Sequence, residues 1–173
     1  MPDTTLTTAI KEAYSAAPAN VVIYHTLELY HSAFSSPIRV VRDYTDLTAT
    51  LESTAPRNPS TSVTFVAFNF DFTKPEVSPA GVPQITITLD NVDRSIVANI
   101  EAAIATTEMV SVIYREFISS DLSAPQNNPP LTMTVMSISA TVFKVTAVCG
   151  FPDLVNKRFP TKEYDSETFI GLL

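Results

Sequence analysis

The chain has 173 residues, 45% of them apolar, with 11 Lys and Arg against 18 Asp and Glu, a net charge of −7 and a pI near 4.7. These values fit one ordinary domain with a core to bury rather than a disordered chain, and they exclude the basic face of a general nucleic-acid binder. Three glycines with no GxxxxGK[ST] or GxGxxG pattern exclude a glycine-rich phosphate loop, and the single cysteine, Cys149, excludes an internal disulfide framework or a Cys-rich zinc site.

The N-terminus shows no basic region followed by an apolar core, and no apolar run reaches about 18 residues. The expectation is a soluble intracellular domain in a reducing compartment, with no membrane span. Residues 4–17 read as a short helix, with Leu6, Ile10, Tyr14 and Ala17 at helical spacing and Pro18 as its stop. From Val21 the period changes to two. "VVIYHTLELYHS" places Ile23, His25, Leu27, Leu29 and His31 on one face of a strand, and Tyr24, Thr26, Glu28 and Tyr30 on the other. "IRVVRD" and "YTDLTATLE" give two more short strands, followed by the Pro- and Ser-rich loop 53–61. "SVTFVAFNFDF" reads as one aromatic strand over 62–72, with Val66, Phe68, Phe70 and Phe72 on one face and Asn69 and Asp71 on the other. After the loop 74–83, "QITITLDNV" alternates Ile85, Ile87 and Leu89 with threonines. A helix over 94–105 follows, striped by Ile96, Val97, Ile100, Ala103 and Ile104. "EMVSVIYREFISSD" is the next strand, the loop 122–130 comes after it, and "LTMTVMSISATVFKVTAVCG" is long enough for two strands turning near Ser139 to Thr141. The tail 150–173 spaces its aromatics irregularly and reads as an extended docking arm. The resulting fold class is mainly β: an antiparallel sandwich or barrel of about eight or nine strands, with one flanking helix and a short N-terminal helix. Its parts are an N-terminal helical segment 1–20, a β domain 21–149 and the arm 150–173.

No residue set assembles into an enzyme. His25 and His31, the only histidines, would lie about 20 Å apart on an extended strand and cannot share a metal. A Ser/His/Asp set from Ser32 or Ser35, His31 and Asp43 lacks both a GxSxG elbow and an oxyanion turn. Cys149 ends an apolar strand and reads as a buried structural thiol. Asp90, Asn91 and Asp93 stand at a strand-to-helix junction, where they read as a helix cap aided by the helix dipole. A metal there would need more oxygen ligands nearby. Arg39, Arg42 and Asp43 read as solvent-facing charges or as a candidate subunit interface. Catalytic, cofactor-binding and metal residues are all expected to be none.

The segments "SPIRVVRDYTDLTATLE", "LDNVDR" and "RFPTKEYDSETFIGL" are the most specific parts of a resemblance that covers residues 21–172. The chain resembles the minor tail proteins of tailed phages and prophages, a family long catalogued as a domain of unknown function and similar to the M-type tail-tip proteins of lambda-like phages. That family often ends in a Phe-Pro-Gly-Leu-like sequence, where this chain has Ile170 at the proline place. The resemblance implies a tail-tube-like β-sandwich whose flanking helix is 94–105. It implies a homo-oligomeric ring, taken as a hexamer, between the tail tube protein and the tail-tip hub proteins, located in the virion tail tip and assembled in the host bacterial cytoplasm. DNA would pass through its lumen without specific binding, which the net negative charge favours. The loops 53–61, 74–83 and 122–130, and Phe151, Lys157, Arg158, Phe159, Tyr164 and Phe169 of the arm, are the further candidates for subunit contacts. A receptor- or glycan-binding tail module is the alternative reading.

Overall fold

The computed structural model describes residues 6–73, 84–90, 103, 106, 108–141 and 144–151. The predicted loop 74–83, nearly all of the helix 94–105, and the arm beyond Phe151 lie outside the described residues. Ala103 is the one described residue of that helix; it is helical and buried against the main core.

One helix, α1 (Thr8–Ala16), and nine strands make up the described elements: β1 (Ile23–Tyr30), β2 (Ile38–Val41), β3 (Leu47–Thr50), β4 (Ser62–Ala67), β5 (Phe70–Phe72), β6 (Gln84–Asp90), β7 (Ser111–Ile118), β8 (Leu131–Ala140) and β9 (Lys144–Gly150). α1 is shorter than the 4–17 expected. Its N–H and C=O ladder ends at Ala17, which takes a left-handed conformation (φ 42°) and donates its N–H to Ala13, just before Pro18. Ile10 and Ala13 are its buried residues, so the stripe that docks is narrow.

The strands form a single mixed sheet in the order β3-β4-β2-β1-β7-β8-β9-β6-β5. All neighbours are antiparallel except β2 and β4, which pair in parallel through Val40–Val66 and Val41–Ala67. The expected single strand over 62–72 is therefore two strands, placed second and last in the order. Only Phe68 and Asn69 separate them, and three residue steps reach about 10–11 Å at most. A flat nine-stranded sheet would hold those positions far apart, at about 4.8 Å per strand. The sheet must therefore roll until its ends are neighbours. The link is pinned on both sides: Phe68 N–H donates to the Val41 carbonyl (2.9 Å), Asp90 N–H donates to the Asn69 carbonyl (3.2 Å), and the Asn69 amide donates to the Asp90 carboxylate (2.6 Å). The sequence pattern groups Val66 with Phe68, Phe70 and Phe72, but the apolar run "FVAF" leads into this corner and it is Phe65 that is buried on β4, while Val66 is half exposed.

The roll encloses the main core. Leu27, Leu29 and Val40 from β1 and β2 meet Ile85, Ile87 and Leu89 of β6, Met133 of β8, and Val145, Ala147 and Cys149 of β9. Each large side chain buried there contributes about 1.5–3 kcal/mol before entropy costs. A second, smaller core lies on the outer face, where Val41 and Phe117 pack with Leu47, Ala49 and Phe65 of the β3–β4 hairpin and with Leu51 and Ala55 of its loop. The central strand β1 is consequently covered on both faces: Thr26, Leu27, Glu28 and Leu29 are all buried. The face that carries Thr26 and Glu28, opposite Leu27 and Leu29, is interior because the β3–β4 hairpin and its loop cover it.

Beyond Tyr114, β7 loses β8 as a neighbour, and the loop 122–130 takes over its edge. Gln126 N–H donates to the Glu116 carbonyl (2.7 Å), Glu116 N–H to the Asn127 side chain (2.9 Å), and the Asn127 amide to the Tyr114 carbonyl (3.1 Å). This satisfies backbone groups that burial would otherwise leave costly.

Candidate functional site

Three polar clusters stand out, one on the outer face of the sheet and one at each end of the roll. The outer cluster is ionic. Glu28 and Arg115, both fully buried, are joined at 3.0 Å. Arg115 also grips Glu52 through two parallel bonds of 2.8 Å, a bidentate geometry that suits a guanidinium. Glu28 accepts from Arg57 (2.8 Å) and Arg39 (3.3 Å) as well, and Arg57 lies 4.0 Å over the Tyr30 ring. Burial pushes the Glu28 carboxyl up, but Arg115, Arg57 and Arg39 outweigh it and hold it below the usual carboxylate range. The loop 53–61 is thereby clamped to the sheet, with Asn58 (φ 51°) accepting from Arg39 at 2.9 Å. Arg39, a candidate interface residue in the sequence, thus has its partners inside the same chain, and only 13% of its side chain is exposed.

At one end of the roll sits His31, fully buried. Its Nδ1 accepts from Ala33 N–H (3.0 Å), so Nε2 carries the proton and faces the Glu108 carbonyl (3.1 Å) and the Thr106 hydroxyl (3.0 Å). The Ser32 hydroxyl donates to the Glu108 carboxylate rather than to His31. With one ring nitrogen taken by a backbone amide and the other donating to a carbonyl, this imidazole is built as a structural bracket.

The other end opens as a cleft of about 280 Å³ lined by Tyr14, His25, Arg42, Phe70, Phe72 and Tyr114. β1 and β7 place His25 opposite Glu116 and Leu27 opposite Tyr114, so the inner face turns from apolar to polar at this mouth. The Tyr114 hydroxyl donates to Glu116 (2.5 Å) and lies 2.7 Å from His25 Nδ1, which must then be the donor toward it. Tyr14 of α1 donates to the same carboxylate (3.2 Å) and so ties the helix to the mouth. Burial and the Glu116 carboxylate push the Tyr114 phenol far above its ordinary range, so it stays protonated. Phe72 stacks on Tyr114 at 4.4 Å between ring centres, nearly parallel. Arg42 reaches Asp71 at 3.8 Å, with half of its side chain exposed. A second, wider hollow of about 630 Å³ adjoins at Arg42 and is lined also by Asp43, Tyr44, Ala67, Phe68 and Asn69. Tyr44 is fully exposed.

The structure therefore parts Arg39 from the other two. Arg39 joins the outer ionic cluster, while Arg42 and Asp43 both line the wider hollow, where Asp43 also accepts Tyr44 N–H at 2.7 Å. Asp90, read as part of a helix cap, closes the roll through Asn69; Asn91 and Asp93 lie outside the described residues. Phe151 packs against the main core, while Lys157, Arg158, Phe159, Tyr164 and Phe169 are outside the described residues. Sequence reasoning missed Glu28, Arg115 and Tyr114. The available signal was a pair of opposite charges, each set within an aromatic-rich strand, "LELY" and "IYREF".

Among the described residues no group of three His, Cys, Asp or Glu is placed to hold a metal ion, and no helix is long and apolar enough to cross a membrane. Cys149 is buried, and burial pushes its thiol up to about 11. It should therefore resist thiol–disulfide exchange at pH 8 while the protein is folded and react in full once urea unfolds it. A thiol titration with a coloured disulfide reagent checks this, and rapid reaction of the folded protein would contradict it.

No curated protein matches the chain. A family model described as Domain of unknown function (DUF1833) matches residues 9–164, which takes in every described strand. The chain belongs to that family.

Proposed function

We propose that this chain is a structural protein of a phage tail tip. In this reading it forms a ring, a hexamer, that joins the tail tube to the baseplate hub and lines the DNA channel. The observation that carries the reading is the set of segments resembling minor tail proteins, of which "SPIRVVRDYTDLTATLE" runs from β2 through β3. The fold is compatible with it. A rolled sheet whose order ends in two short strands, β3 and β5, offers backbone edges for pairing between subunits. The tail-tube-like character of the sheet belongs to the same proposal. A net charge of −7 suits a lumen that lets DNA pass without holding it.

Electron microscopy of virions produced without this protein is the test. Tails that are absent or lack their tip are the expected result, together with six-fold density for the protein in intact virions. Normal, infectious tails would refute the proposal. Binding of the isolated protein to a glycan array would favour the receptor-binding reading instead.

A further inference from the structure

Met109, Met133 and Met136 are the described methionines, and their settings differ. Met133 is fully buried in the main core, whereas Met136, further along β8, is 62% exposed and Met109 is 67% exposed. The register of β8 against β9 shifts between Val135 and Ser137, so Met136 is the extra residue of a β-bulge, a device that re-aims a side chain. It lies across Gly150 of β9. A Cβ added at Gly150 would come within 2.5 Å of Met136 Sδ, but only within 3.4 and 3.9 Å of the flanking Cγ and Cε. Gly150 therefore meets the sulfur on the side away from both carbons, along one of its two lone pairs. The other lone pair is left to the exposed side, where Met136 and Met109 line a hollow of about 250 Å³ with Glu108, Val110, Val135 and Ile138.

We infer that Met136 is a modification site for a hydroperoxide, which oxidises its sulfur through the open lone pair and leaves a single sulfoxide epimer. With hydrogen peroxide the sulfur lone pair attacks one peroxide oxygen, the O–O bond breaks, an S–O bond forms, and the second oxygen leaves as water with both protons. Sulfur loses two electrons and the peroxide gains them. A thioether whose lone pairs are equally open gives both epimers, and Gly150 removes that equality. Each epimer is reduced by its own class of methionine sulfoxide reductase, so one class alone restores Met136. The oxygen enters on the solvent side, which leaves the sulfur seated on Gly150 and the bulge in place. What changes is the wall of the hollow, from a soft apolar thioether to a polar oxygen acceptor. Cys149, beside Gly150 in the chain, is buried and does not compete for the oxidant.

The test treats the full chain with hydrogen peroxide and follows each methionine by digestion and mass spectrometry of timed samples. Met136 and Met109 should oxidise about tenfold faster than Met133 or more, as their exposure requires. Chromatography should resolve the Met136 sulfoxide peptides into one dominant epimer, in about fivefold excess or more, and only one reductase class should remove it. The same protein oxidised in urea should give nearly equal epimers, which sets the reference. Gly150→Ala, whose methyl forces the sulfur aside, should bring the ratio below about twofold in the folded protein; if that variant does not fold, the urea reference carries the comparison. Equal epimers in the folded wild-type protein, an unchanged ratio in folded Gly150→Ala, or a Met136 rate no faster than that of Met133 overturns the inference. So does a loss of β-structure in step with Met136 oxidation, which would mean that the reaction runs through the unfolded chain.

Discussion

Arg115→Met will destabilise the fold by about 3–5 kcal/mol, because it leaves Glu28 and Glu52 charged beneath the β3–β4 loop without their shared partner. The cost lies mainly in Glu52, which loses its described partner, and in Glu28, which keeps Arg57 and Arg39 but loses its buried one, rather than in the net worth of the ion pairs. Urea unfolding should show a lowered midpoint with an unchanged slope, the sign of lost stability without a changed denatured state. A loss below about 1 kcal/mol would mean that water reaches the cluster freely. Arg57→Met should cost less, since that guanidinium is partly exposed and Glu28 keeps Arg115 and Arg39. The same cluster sets an acid limit. Glu28 titrates lower in the folded protein than its ordinary 4.5, so its contribution is complete above that value and is lost as pH falls through the lower folded value. Wild-type protein should therefore lose stability on acidification below about pH 4.5, and Glu28→Gln should show less of that dependence.

Phe65→Ala will cost about 3–5 kcal/mol, and the loss will be local. Phe65 is fully buried, rests on Phe117 at 5.9 Å between ring centres, and is the largest side chain by which the β3–β4 hairpin holds the outer core. Its removal opens a cavity beneath the hairpin while leaving the enclosed main core untouched. Native-state hydrogen exchange checks this: amides of β3 and β4 should exchange through smaller openings, while those of β6 and β9 keep most of their protection. Uniform loss of protection across all strands would show that the two cores unfold as one.

Strand positions were readable where a strand follows a period of two, as β6 does. Ile85, Ile87 and Leu89 alternate with threonines and all three are buried, as the pattern requires. Partner choice was not readable. "SVTFVAFNFDF" contains no Gly or Pro to mark a division, yet its two halves pair with opposite ends of the sheet. Burial of a polar face was not readable either. Nothing local marks Thr26 and Glu28 as interior; the hairpin folded over them, with Arg115 from 87 residues away, makes them so. Among the candidate residues, spacing found Arg42 but not its surroundings, since Tyr14, His25, Phe72 and Tyr114 come from four separate elements or their margins.

The central position of β1 has a consequence in time. Its long pairing with β7 joins Thr26 to the backbone of Arg115, 89 residues later. A ribosome adding about 5–20 residues per second needs roughly 5–18 s to supply that distance. Throughout that interval β1 carries an apolar face and an unpaired edge, with only β2 to cover one side. The nascent chain is thus most prone to wrong partners while its middle third is being made. Loop closure over such a separation also places folding toward the slow end for a domain of this size.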